Sequence, residues 1–113
     1  VPAVRLYGDE VTAIAQFFSA QFNLGLQNIL TDLAVQFPVE NRQVDIFGLF
    51  NMIVAFPQLY GLAEVTDTCI TPGVVVNAVC HRPDSYLFWD GIHPTRAGHA
   101  IISRQALQVL EVP

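Results

Sequence analysis

Asp90 and His93 are the residues of this 113-residue chain whose types and spacing best suit chemistry. They stand three apart in Trp89-Asp90-Gly91-Ile92-His93-Pro94-Thr95. Gly91 lets the chain bend between them, and Pro94 keeps it from relaxing into helix. The spacing allows the carboxylate to turn back and accept a hydrogen bond from the imidazole Nδ1–H. The ring is then held in one tautomer, with Nε2 outward as a general base. Surface ion pairs and helix starts show the same spacing, so the pair alone leaves its role open.

Other candidates carry less. His81, His93, His99 and Asp90 are proper zinc ligands by type. However, His99 follows Gly98 on an expected helix, where packing explains it, and His81 beside Arg82 reads as solvated loop. No metal or other cofactor is therefore expected. Gly8-Asp9-Glu10 has the form of a nucleophile turn with Glu in place of serine, and Glu10 reads as a helix-start residue. Ser19 and Ser103 fall on helices, Ser85 in a turn beside Pro83 and Asp84, and none stands on a strand-to-helix elbow.

The elements that must position Asp90 and His93 follow from periodicity. Val1 to Tyr7 reads as a loop or extended lead-in. Asp9 is the expected N-cap of a long amphipathic helix ending near Phe37, before Pro38. Its apolar stripe is Val11, Ala15, Phe18, Phe22, Leu26, Ile29 and Leu33, whose aromatics a core location would explain. Thr12, Gln16, Ser19, Asn23 and Gln27 form the opposite stripe. Gln43 to Phe47 reads as a short strand, Gly48 to Phe56 as a helix stopped by Pro57, and Gln58 to Asn77 as irregular. Tyr86 to Trp89 is a second strand. Thr95 then caps a final helix with Ala97, Ile101, Ile102, Ala106, Val109 and Leu110 as its apolar positions. The order predicts α/β organisation with a parallel sheet, in which ligands gather at the C-terminal strand ends. Two short strands are too few for a doubly wound sheet, so the chain reads as part of a fold.

Composition agrees. Five arginines face ten acidic residues, for a net charge of -5, and charged residues make up 13% against roughly 25% in an ordinary domain. Mean hydropathy is +0.42. This disfavours disorder, nucleic-acid binding and attraction to anionic membranes. A domain of this size buries only about 60–70% of its unfolded surface, so something else is expected to cover part of its apolar face. The longest charge-free stretch, Val11 to Thr31, is broken by seven polar residues and is no spanning helix. The chain opens Val1-Pro2-Ala3 with neither methionine nor a signal-peptide pattern, and a processed or excised product is expected. Cys69 and Cys80 lie in a segment of turn formers, where pairing fits better than two free thiols and points to export.

The segment Tyr86-Leu87-Phe88-Trp89-Asp90-Gly91-Ile92-His93-Pro94-Thr95, with Gly98-His99 following, closely resembles the last sequence block of the GDSL (SGNH) family of serine ester hydrolases. The match is to the exported lipase and esterase branch. Phe22-Asn23 with Leu26 resembles that branch's long helix, and Val44-Asp45 its fourth-strand segment. Pro57, Tyr60-Gly61-Leu62, Cys69 and Cys80 resemble the stretch before its last strand. The resemblance implies a single partial domain over residues 1–113, the C-terminal half of the family's hydrolase domain, which is a three-layer α/β/α sandwich around a parallel sheet. It implies that Asp90 and His93 are two members of a Ser-His-Asp triad acting on carboxylic esters, lipids included, in a secreted enzyme. The family's nucleophile block, its oxyanion-hole glycine and its Gly-x-Asn-Asp block have no counterpart here. The implied partner is thus an N-terminal complementary half carrying the serine. The alternative reading is a non-catalytic binding module on the same scaffold, and an unpaired sheet edge could also support self-association.

Overall fold

Leu87 and Phe88 lie at the centre of the hydrophobic core and lead directly into the Asp90–His93 loop. The structure is a computed structural model that describes residues 1–71, 73–76 and 78–111. Its elements are α1 (Pro2–Arg5), α2 (Asp9–Gln36), α3 (Ile46–Ala55), β1 (Glu64–Thr68), β2 (Tyr86–Phe88) and α4 (Arg96–Glu111). Single 3-10 turns span Pro57–Tyr60 and Pro83–Ser85. Strands β1 and β2 pair in parallel, Glu64 opposite Tyr86 and Thr68 opposite Phe88. The described chain is thus a mixed helix–strand arrangement around a small parallel sheet, compatible with an α/β fold.

The core forms where α3 and α4 meet this sheet. Leu49 and Ile53 of α3, Leu62, Val65 of β1, Leu87, Phe88 and Ile101 of α4 are buried together. Phe50 meets Phe88 edge to face at 6.0 Å, a favoured ring geometry. Thr95 ties α4 to the strand before it. Its hydroxyl donates to the Tyr86 carbonyl at 2.6 Å and accepts from the Gly98 N–H at 3.1 Å, which makes it the side-chain cap expected there. Only glycine fits at 98: a Cβ would lie 2.8 Å from Pro94 Cβ and 2.9 Å from the Leu87 carbonyl oxygen. The close approach brings α4 against the strand that carries the site. Arg42 anchors the segment between α2 and α3 by donating to the Val109 carbonyl at 2.8 Å, at the negative end of α4.

Several elements depart from expectation. Residues 2–5 form a helical turn rather than an extended lead-in, because Pro2 pre-sets the first helical position. Asp9 begins α2 instead of capping it. Gly8 occupies the cap position at φ 93°, a conformation that glycine takes without steric cost. Gln43 to Phe47 is not a strand: Asp45 accepts from the Gly48 N–H at 2.8 Å and starts α3 at Ile46. The second strand comes instead from Glu64–Thr68, inside the segment expected to be irregular. On α4, Leu110 is exposed rather than packed. Pro72 and Asn77, part of the same expected loop, lie outside the described residues.

The largest difference concerns α2. Its 28 residues include none that is buried. Phe18 and Phe22, expected in the core, are 65% and 70% exposed, and Val11, Leu26, Ile29 and Leu33 are exposed as well. The residues of α2 nearest the body of the chain are mostly polar, with Ala15 of the apolar stripe among them. Thr12, Gln16, Ser19 and Asn23 border an open groove of about 590 Å³ against Phe47 and Phe50 of α3, and Gln16 reaches Asn51 at 3.4 Å. Most of the apolar stripe is thus left exposed, unlike that of a surface helix packed on its own core. No helix among the described residues is long and apolar enough to cross a membrane.

Candidate active site

Beyond Phe88 the chain makes a tight return that its backbone closes on itself. The Trp89 N–H donates to the His93 carbonyl at 2.8 Å, Phe88 bridges Pro94, and the Thr95 N–H donates to the Leu87 carbonyl at 2.9 Å. Inside this return the Asp90 carboxylate fixes the turn. Its Oδ1 accepts from the Ile92 N–H at 2.9 Å and the His93 N–H at 2.7 Å, an aspartate turn closed by its own side chain. Its Oδ2 lies 2.7 Å from His93 Nδ1. One carboxylate therefore shapes the loop and grips the ring.

Those hydrogen bonds also set the charge state. The Ile92 N–H, then the His93 N–H, then the His93 ring hold the Asp90 carboxyl down at about 2, because each stabilises the ionised form. An ionised carboxylate has no proton to share, so at neutral pH the proton between Oδ2 and Nδ1 belongs to the imidazole. A neutral ring then carries its lone pair on Nε2, the tautomer a general base requires. The His93 side chain is 66% exposed, and among the described residues Nδ1 is its only hydrogen-bonded ring atom. The site presents an imidazole oriented by a carboxylate at the C-terminal end of a parallel strand, where such sheets gather reactive groups.

This charge state has a measurable consequence. Asp90 titrates below its unfolded value near 3.9, so its contribution to loop order is present above that value and is lost as pH falls through about 2. An NMR titration of the Asp90 carboxyl is expected to give a midpoint near 2, with the Ile92 and His93 amides moving in step. A midpoint near 3.9 would mean that the two backbone bonds do not form in solution.

The pair that spacing singled out is thus brought together. His81 and His99 do not join it, and no group of three or more His, Cys, Asp or Glu side chains that could hold a metal occurs among the described residues. Ser85 donates to the Arg82 carbonyl at 2.8 Å in its turn, and Ser19 and Ser103 lie on α2 and α4. Glu10 is a first-turn residue of α2, as expected. Sequence reasoning missed the brace on the far side of the loop. The Ala3 N–H donates to the Gly91 carbonyl at 2.9 Å, and a Cβ on Gly91 would come within 3.2 Å of Ala3 Cβ. Pro2 following Val1 was the available signal for that turn. The cysteines are joined, Cys69 to Cys80, across eleven positions.

An α/β chain with an Asp–His dyad at a strand end defines the class in which relatives are to be sought. No family model matches the chain. GDSL esterase/lipase EXL6 of Arabidopsis thaliana is 33% identical over 87 residues, covering 74% of this chain and 25% of the relative. A second Arabidopsis GDSL esterase/lipase is 33% identical over 96 residues, 75% of this chain and 26% of its own length. The anther-specific proline-rich protein APG of Brassica napus is 30% identical over 104 residues, 80% of this chain and 23% of its own. The chain belongs to the GDSL esterase/lipase family, and these relatives support the C-terminal portion of it that the closing block implied. The chain spans about a quarter of the length of the curated relatives it matches.

Proposed function

We propose that this chain supplies the base and its orienting carboxylate to a serine ester hydrolase, as the C-terminal part of that enzyme's α/β/α domain. The observation that carries this reading is the 2.7 Å Asp90–His93 pair with its ring open to solvent. In the reaction, His93 Nε2 takes the proton of a serine hydroxyl as the oxygen attacks the ester carbonyl, then gives it to the departing alkoxide. The acyl-serine is hydrolysed by the same exchange, with water in place of the serine. Asp90 remains ionised throughout and stabilises the imidazolium that forms twice per turnover.

The serine and the oxyanion-stabilising donors come from a complementary portion of the same enzyme. Two features support that partner. Among the described residues the sheet has two strands, and α2 leaves most of its apolar stripe exposed, a surface that a further layer would cover. The names of the relatives support carboxylic esters as substrates. The Cys69–Cys80 disulfide supports a secreted enzyme, because such bonds persist in oxidising compartments.

The test is intact mass spectrometry of the native preparation after treatment with a fluorophosphonate, which marks activated serines. A single adduct is expected on protein outside these 113 residues. A preparation that takes no label would favour the binding-module alternative, and an adduct on Ser19, Ser85 or Ser103 would overturn the division of roles.

A further inference from the structure

We propose that the Cys69–Cys80 disulfide is a positioning element for the Asp90–His93 loop: it holds Ile70 against Trp89 and so fixes how the loop, and His93 with it, is set on the sheet. The clamp stands on the geometry below, and only its effect on turnover rests on the hydrolase reading.

The clamp is a chain of backbone bonds that begins where the strands end. Strand pairing closes at Thr68 opposite Phe88, and two further bonds carry it toward the site. The Cys69 N–H donates to the Phe88 carbonyl at 3.0 Å and the Ile70 N–H to the Trp89 carbonyl at 2.9 Å. The Trp89 N–H in turn donates to the His93 carbonyl at 2.8 Å. Both backbone groups of Trp89 are thus engaged, one by Ile70 and one by the residue that carries the imidazole. Ile70, next to Cys69 in the chain, is two backbone hydrogen bonds from His93.

Cys69 and Ile70 are held in this place by Cys80 and Val79. The Cys80 N–H donates to the Cys69 carbonyl at 2.7 Å, and Val79 bridges Ile70 in antiparallel fashion. A pairing of so few residues is marginal in water by itself, and bringing its two ends together costs chain entropy. The disulfide lowers that cost by joining the two ends covalently. Cys69 is buried with the core residues, so the crosslink is anchored at the sheet. The Asp90 turn needs no such help to form, because its carboxylate bonds the Ile92 and His93 N–H groups locally. A self-closed turn still lacks a fixed direction relative to the sheet, and Trp89, where the loop leaves β2, is the point that sets it. Direction matters to a general base, since a misplacement of about 1 Å can cost roughly a hundredfold in rate.

The experiment uses the native preparation and three variants. Cys69→Ala/Cys80→Ala removes the crosslink, Ile70→Pro removes the N–H that faces Trp89 and keeps the disulfide, and Ile70→Val keeps both. Circular dichroism verifies folding, hydrolysis of a dissolved ester gives kcat and KM, and amide hydrogen exchange reads the clamp. The first two variants are expected to lose at least about tenfold in kcat with KM little changed, and to exchange the Trp89 amide faster. The Ile92 and His93 amides should keep their protection, and the Asp90 carboxyl midpoint should stay near about 2, because those bonds are local. Ile70→Val should match the unaltered protein in every reading. Full kcat, or unchanged Trp89 exchange, in a folded Ile70→Pro protein would overturn the proposal and leave the hydrolase reading intact. Faster exchange spread evenly over the core, Leu87 and Ile101 included, with kcat kept, would also overturn it, by revealing a crosslink that only stabilises. If the alanine pair fails to fold, Ile70→Pro decides alone. Faster Trp89 exchange in preparations of which none, the unaltered protein included, hydrolyses the ester would uphold the clamp and sink the hydrolase reading alone.

Discussion

His93→Ala, introduced into the native enzyme, is expected to lower ester turnover by about three to six orders of magnitude, with little change in folding. The size follows from the role: without Nε2 the serine must lose its proton to water, and residual rate comes only from binding and oxyanion stabilisation. The ring is mostly exposed and makes one side-chain hydrogen bond, so its removal leaves the core untouched. Asp90→Asn separates the two duties of the carboxylate. The amide oxygen can still accept from the Ile92 and His93 N–H groups, but the amide nitrogen facing Nδ1 cannot accept its proton. The loop should persist while turnover falls by about four orders of magnitude through the wrong tautomer. Single-turnover hydrolysis of a chromogenic ester measures both variants. Near-normal rates for His93→Ala would remove this chain from the chemistry.

The second large effect is expected on α2. With residues 1–113 and the complementary portion produced as separate polypeptides, Phe18→Asp combined with Phe22→Asp should weaken their association, raising the dissociation constant by about two to four orders of magnitude. Each aromatic contributes roughly 1.5–3 kcal/mol when its ring leaves water, and a carboxylate in its place adds a desolvation cost. Gln27→Asp, on the opposite stripe, is the control and should leave association unchanged. Size-exclusion chromatography at falling concentration reads the difference. Association that survives the double substitution would mean that the exposed stripe is not the covered surface.

How far the sequence reveals this molecule depends on whether each feature is local or tertiary. The Asp90–His93 geometry was legible because all its parts lie within four residues, and a carboxylate accepting from the next two or three N–H groups needs no distant partner. The Thr95 cap and the Cys69–Cys80 pairing were similarly accessible, each having few competing arrangements. The strand Glu64–Thr68 was not. Its only buried side chain is Val65, so no alternation of apolar and polar residues marks it, and its identity comes from pairing with Tyr86–Phe88. Gln43–Phe47 erred in the other direction: its β-forming residues bracket Asp45, and a helix cap outweighed their propensity. The length of α2 followed from periodicity, whereas the direction of its apolar stripe did not. Periodicity reveals that a helix has two faces and is silent on what stands opposite each.

The self-closing hydrogen bonds of the Asp90 turn bear on how a two-part enzyme would recover after separation. Acceptor, ring and both bonded amides belong to one short stretch of chain, so the base would be ready before any second portion arrives. Recovery of activity on mixing should then follow simple second-order kinetics, rising with concentration and showing no lag for local rearrangement. Encounter with the nucleophile, rather than maturation of the base, would be the slow event.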